Sequence, residues 1–138
     1  MATNVLISCV SKKLEHKAKA EDLYVSTLFK YNLQYAKSMG ADKIFILSAK
    51  HGLLGFEEEI EPYNQTLNNM GTGEIRIWAK KVLSQLKEST DIKNDHFVFL
   101  AGDKYRKFLL PHISSYEIPL EGMRIGEQLQ YLKELCQQ

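Results

Sequence analysis

Four short strings in this sequence gather residues suited to holding or processing an anionic ligand. The first is Ser8-Cys9-Val10-Ser11-Lys12-Lys13, and the second is Ser48-Ala49-Lys50-His51-Gly52. The third is Ala101-Gly102-Asp103-Lys104-Tyr105; the fourth is Pro119-Leu120-Glu121-Gly122, with Arg124 and Gly126 close behind. Lys12, Lys13, Lys50, His51 and Arg124 would concentrate positive charge. Ser8, Ser48 and the glycines Gly52, Gly102, Gly122 and Gly126 would offer hydroxyl and backbone N–H groups at close range. That mixture favours a phosphate-bearing ligand, with helix N-termini helping to hold it. No P-loop and no GxGxxG occurs, which disfavours the ordinary nucleoside triphosphate and dinucleotide folds.

Each residue has a functional and a structural reading. Cys9 is either a nucleophile activated by Lys12, Lys13 or His51, or a small buried hydrophobe at a strand end. His51 is a general base or a ligand donor, or a loop histidine satisfied by backbone. The Lys12-Lys13 pair touches ligand or is solvated charge. Tyr63 and Asn64 stack on and bond a base, or close the core as a lid. Asp103 is a helix cap or an acid at the site, and the cap is the reading adopted. Glu57-Glu58-Glu59 reads as a solvated acidic run, and Trp78 as core.

Four apolar runs must position these strings: Asn4 to Cys9, Lys43 to Ser48, His96 to Ala101 and Tyr116 to Leu120. The first three are continuous rather than alternating, as suits parallel strands covered on both faces. Helical patterns lie between them. Tyr24, Leu28, Tyr31, Tyr35 and Met39 recur between Glu21 and Met39, with Gly40 as a stop. Ile75, Trp78, Ala79, Val82, Leu83 and Leu86 form a cleaner stripe from Thr72 to Lys87. A short helix from Asp103 to Leu110 is closed by Pro111, and a last one runs from Ile125 to Cys136 with Leu129, Leu132 and Cys136 inward. Strand and helix alternate, which predicts an α/β fold: a three-layer sandwich with a short, mainly four-stranded parallel sheet flanked by helices. Ligands of such sheets bind at the carboxyl ends of the strands, where all four strings fall. The irregular stretch from Lys50 to Gly71 is longer than a median loop and is therefore suspected of function.

The 138 residues fit one domain, taken as 1–138. With 44% hydrophobic and 25% charged residues the composition is globular, not disordered. Lys and Arg number 18 against 17 Asp and Glu, so the net charge of +1 excludes a generally basic nucleic-acid coat but not a local patch. Cys9 and Cys136 have no metal-ligand spacing, and no metal or cofactor is expected. No signal peptide is read, and no apolar run approaches the ~20 residues that span a bilayer, so a cytoplasmic protein with reduced thiols and no membrane partner is expected.

Several of these strings resemble a known family. Ile7-Ser8-Cys9-x-x-Lys12-Lys13 and Leu23-Tyr24-x-Ser26 are similar to the opening of a widespread, functionally uncharacterised domain of bacteria, archaea and phages. Ser48-Ala49-Lys50-His51-Gly52-Leu53, then Pro62-Tyr63 and Leu67, resemble its second motif. Ala101-Gly102-x-x-Tyr105 and Pro119-Leu120-x-Gly122-x-x-Ile125-Gly126-x-Gln128-Leu129 resemble its third and fourth. The family is distantly similar to the YaaA-like peroxide-stress proteins, which implies a fold like that of uracil-DNA glycosylase. The resemblance implies a nucleobase, nucleotide or nucleic-acid ligand, with Gln128 among its contacts, and N-glycosidic cleavage as an activity. The glycosylase water-activating loop is not found: Ser8-Cys9-Val10-Ser11 stands in its place.

Three functions compete. An enzyme cleaving N-glycosidic bonds would use Glu121 or Asp103 as the acid group, His51 or Lys50 as the donor to the departing base, and Cys9 as a covalent alternative. A non-catalytic binder would sequester a phosphate-bearing nucleotide signal, in a phage or defence setting, with Tyr24, Tyr63 and Tyr105 stacking or bonding. A nucleic-acid module would place Lys12, Lys13, Lys17, Lys19, Lys50 and Lys104 on phosphates, against which the near-neutral charge counts. Oligomeric state is left open.

Overall fold

The computed structural model describes residues 2–8, 18–19, 27–55, 58–60 and 67–136. In chain order its elements are β1 (Thr3–Ser8), β2 (Ala18–Lys19), α1 (Thr27–Ser38), β3 (Lys43–Ser48), β4 (Gly52–Gly55) and β5 (Glu59–Ile60). Then follow α2 (Thr72–Ser89), β6 (His96–Leu100), α3 (Asp103–Arg106), β7 (Ser115–Glu117) and α4 (Ile125–Cys136). Short 3-10 turns occupy Leu67–Asn69 and Leu110–His112. Cys9, Lys12, Lys13, Tyr24 and Tyr63 lie outside the described residues, as does the expected start of the first helix at Glu21.

The continuous apolar runs are strands because both of their faces are covered. β1 pairs in parallel with β3 on one side and β6 on the other. Register puts Val5 beside Ile44 and Val98, Ile7 beside Ile46 and Leu100, and Leu6 beside Phe45 and Phe99. The first two rows face α1 and α4, packing on Phe29, Leu33, Ala36 and Leu132. The third faces α2 and α3, packing among Trp78, Val82, Leu86 and Tyr105. Helices therefore lie on both faces, and full burial of each such side chain contributes roughly 1.5–3 kcal/mol.

The sheet differs from the expected four parallel strands. It has five, in the order β4-β3-β1-β6-β7, and β4 runs antiparallel to β3. β4 comes from the stretch read as irregular: Leu53 and Leu54 between two glycines are too few to mark a strand. β2 and β5 form a separate antiparallel pair, Ala18 opposite Ile60. β7 is Ser115–Glu117 rather than Tyr116 to Leu120. Pro119 lacks an N–H for the ladder, and the chain turns there through Glu121 N–H to Ile118 C=O. His96 Nδ1 lies 2.7 Å from Ser115 Oγ and ties this edge strand to β6.

The α2 stripe is buried as expected, from Ile75 through Leu86. On α1 the buried centre is Phe29, Asn32, Leu33 and Ala36, and the expected stripe of Leu28, Tyr31, Tyr35 and Met39 is only half-buried along its flank. Burial, then the nearby Tyr131 and Glu117, raise the Tyr35 hydroxyl pKa. Gly40, at φ +71°, ends α1 as its position foretold. Asp103 is not a cap: Gly102 holds that place, and Asp103 is the first helical residue, where its charge suits the helix dipole. Pro111 lies within the second 3-10 turn instead of closing a longer helix.

Candidate functional site

The two ends of the sheet use their polar residues differently. At the amino ends carboxylates serve the backbone. Asp42 accepts Thr3 N–H at 2.7 Å, and Asp95 accepts Ala2 N–H at 3.0 Å and the buried Asn4 amide at 3.2 Å. The bond from Ala2 N–H leads the causes that hold Asp95 below the usual carboxylate range. Lys43 Nζ donates to the Ser89 carbonyl at the same end.

At the carboxyl ends the strand order sets a topological switch point between β1 and β6, the place where sheets of this kind form a crevice. The chain passes from β1 to β3 on one side, then through α2 to β6 on the other. α1 and α2 lie on opposite faces, so the connections diverge beyond β1 and β6. Ser8 closes β1 there, nearly buried at 7% exposure, and its Oγ accepts the Gly102 N–H at 3.4 Å. Arg106 folds back from α3, and its Nη1 donates to the Ala101 carbonyl at 2.7 Å. A half-buried guanidinium with five donors thus stands at the end of β6.

The turn from β3 to β4 forms the neighbouring wall. Ser48 is fully buried; its Oγ accepts His51 N–H at 3.1 Å and its carbonyl accepts Trp78 Nε1–H at 2.8 Å. Trp78 meets Tyr105 edge to face at 5.7 Å, and Tyr105 Oη accepts Leu67 N–H at 3.4 Å. Tyr105, put forward to stack on ligand, is itself buried and supports the wall from behind. Gly52 has φ +78°, and Gln85 reaches it from α2. Gln85 Oε1 accepts Leu53 N–H at 2.8 Å, while its Nε2 donates at 3.5 Å to the carbonyls of His51 and Leu53.

Charge around His51 is mostly positive. Partial burial, then the ammonium groups of Lys50 and Lys81, push its pKa below the ordinary value, with Glu58 opposing. The neutral imidazole is thereby favoured, a form able to accept or donate one proton.

Glu121, Gly122 and Arg124 are exposed in the segment between β7 and α4, with Gly122 at φ +79°. Arg124 N–H bonds the Glu127 carboxylate at 3.4 Å, and Gln128 Nε2 donates to the Met123 carbonyl at 3.0 Å, which shapes this segment. β1 and β6 intervene between β3 and β7, so the ends of those two strands are about 14 Å apart at the usual strand spacing; His51 lies three residues past β3 and Glu121 four past β7. The structure bonds Ser8 to Gly102 across β1 and β6, and Ser48 to His51 at the end of the neighbouring β3, with Lys50 in the same turn. Glu121, Gly122, Arg124 and Gln128 follow the edge strand β7. Lys81, Gln85 and Arg106 were not foreseen. No sequence signal singled them out: Gln85 stands beside Ser84 between Leu83 and Leu86 of the apolar stripe.

Among the described residues no group of three His, Cys, Asp or Glu side chains is placed to hold a metal ion. No described helix is long and apolar enough to cross a membrane.

Helices on both faces of a mainly parallel sheet define a doubly wound α/β protein, with Ser8, Gly102, Ser48, Lys50 and His51 at or just past the carboxyl ends of β1, β6 and β3. The chain belongs to a family of unknown function, DUF6884, whose model matches residues 5–134. No curated protein and no solved structure matches it.

Proposed function

We propose that this protein binds a phosphate-bearing nucleotide or nucleoside in the crevice at the carboxyl ends of β1, β3 and β6. One observation supports this above others: the Ser8 to Gly102 bond joins two strand ends where the connections diverge, beside the cationic turn at Lys50 and His51. Backbone and hydroxyl groups there suit a sugar or base edge, and the cations suit a phosphate. The resemblance to YaaA-like proteins and to the uracil-DNA-glycosylase fold points to the same ligand class. A sheet with helices on both faces agrees with it.

Binding is preferred to N-glycosidic cleavage because neither candidate acid is held against the His51 turn. Glu121 follows β7, with β1 and β6 between that strand and β3, and Asp103 is exposed at the start of α3 beyond β6. A positioned carboxylate close to the donor is what that chemistry requires. The cleavage reading retains support from His51, whose neutral form is favoured and could bond a departing base. Cys9 remains its covalent alternative.

A thermal-shift screen tests the proposal with nucleobases, nucleosides, nucleotides, cyclic dinucleotides and short single-stranded DNA, each analysed by mass spectrometry after incubation. Ligand at about 100 times its Kd adds roughly 2.7 kcal/mol, enough to raise Tm visibly. A nucleotide that stabilises the protein and returns intact is the expected result. Recovery of free base and sugar would replace binding by cleavage. No shift with any member at millimolar concentration would overturn the nucleotide reading.

A further inference from the structure

We propose that Lys50, His51 and Lys81 form a seat for a phosphate group on the turn between β3 and β4, and that a phosphate bound there brings a proton onto His51. The seat rests on the nucleotide reading of the crevice and assigns the ligand's phosphate end.

Geometry carries the assignment. Lys81 lies one helical turn before Gln85 on α2, so both reach the same turn. The Cδ of Lys81 is 3.5 Å from the point that a Cβ on Gly52 would occupy, and Gln85 Oε1 is 2.4 Å from that point. Gly52 therefore admits both side chains against its backbone, and the Lys81 stem packs on the turn with its ammonium acting on His51. Lys50 supplies the second ammonium from the turn itself. Among the described residues neither lysine has a carboxylate within ion-pair distance. Glu58 is the opposing charge, its side chain lying 3.6 Å from the Cβ position of Gly55 at the far end of β4.

The consequence is a linkage between anion and proton. Partial burial, then the two ammonium groups, disfavour a third positive charge, so the empty seat favours the neutral ring, with Glu58 opposing. A phosphate dianion reverses the local field, and the imidazole takes a proton from solvent to become a further donor. Affinity then falls as pH rises through the titration of His51 in the complex.

The test uses inorganic pyrophosphate as probe, with the imidazole signals of His51 followed by NMR against pH. His96 and His112 serve as internal controls. Pyrophosphate is expected to move the His51 midpoint upward by about one pH unit. Lys81→Gln and Lys50→Gln should each weaken pyrophosphate by about tenfold or more and shrink that movement, while Glu58→Gln tightens binding. An unmoved midpoint at saturation, or wild-type affinity in both lysine variants, would overturn the seat. A nucleoside that stabilises wild type and Lys81→Gln alike, with its nucleotide binding no tighter, removes the seat and leaves the crevice reading. Pyrophosphate binding with no nucleotide or nucleoside effect keeps the seat and removes the nucleotide.

Discussion

Gly52→Ala tests the clamp that holds the His51 turn. At φ +78° any L side chain is strained, at about 1–2 kcal/mol. The added Cβ would also sit 2.4 Å from Gln85 Oε1, so Gln85 must swing away and release Leu53 N–H. Losing that bond costs about 0.5–1.5 kcal/mol net. The narrower unfolded ensemble of alanine returns about 0.4–1 kcal/mol, leaving a destabilisation of about 2 kcal/mol. Equilibrium urea unfolding measures it, provided the m-value is unchanged. Gln85→Ala alone should cost about 1 kcal/mol. The double variant should fall short of the summed costs by about 0.5 kcal/mol or more, because the displaced amide is no longer there to displace. A Gly52→Ala cost under about 0.5 kcal/mol, or strict additivity in the double variant, would show that Gln85 does not hold the turn.

Three further outcomes follow from the same geometry. Lys50→Ala and His51→Ala should abolish ligand binding in the thermal-shift assay while shifting stability by no more than about 0.5 kcal/mol; unfolding of either variant would refute their place in the crevice. Trp78→Ala should cost about 3–5 kcal/mol as a core truncation. Trp78→Phe should cost about 1–3 kcal/mol, since it leaves the buried Ser48 carbonyl without its donor, and chemical denaturation compares the two. The third concerns pH. His51 has a folded pKa below the unfolded 6.5, so the unfolded chain takes up its proton first and stability falls as pH drops below 6.5 toward the folded value. Unfolding curves between neutral pH and pH ~5 should show this slope in wild type and lose part of it in His51→Gln.

The legible parts of the fold were those set by local pattern. β1, β3 and β6 are greasy on both faces, and their sequences show it as unbroken runs. α2 packs one clean stripe on one sheet face. α1 misled because it has two neighbours: the sheet takes Phe29, Leu33 and Ala36, while the tyrosines lie along the flank near α4. Periodicity marks an apolar arc without saying which part of it faces the sheet. β4 was hidden because a four-residue strand with glycine at both ends has almost no pattern, and its strand character comes from pairing with β3. The same limit applies to the site. Lys50 and His51 were visible because they follow a strand, whereas Lys81, Gln85 and Arg106 belong to the crevice only through helix placement.

Salt dependence separates a pocket from a polymer track, and the distribution of charge makes the expectation numerical. A net charge of +1 leaves room for local imbalance. At the amino ends Asp42 and Asp95 engage backbone N–H groups beside Lys43, while Lys50, His51, Lys81 and Arg106 lie toward the carboxyl ends with Glu58 and Asp103 as the opposing charges. The crevice can therefore be cationic in a nearly neutral protein. Three or four such groups engaging single-stranded DNA would give log K against log salt a slope of roughly −2 to −3, at about −0.7 per phosphate. Binding of short single-stranded DNA followed by fluorescence anisotropy at increasing ionic strength measures it. A slope in that range, matched by a mononucleotide competing at similar affinity, means that one crevice accounts for all binding. A slope near −5 or steeper would require further lysines along an extended path, and would refute a site confined to the ends of β1, β3 and β6.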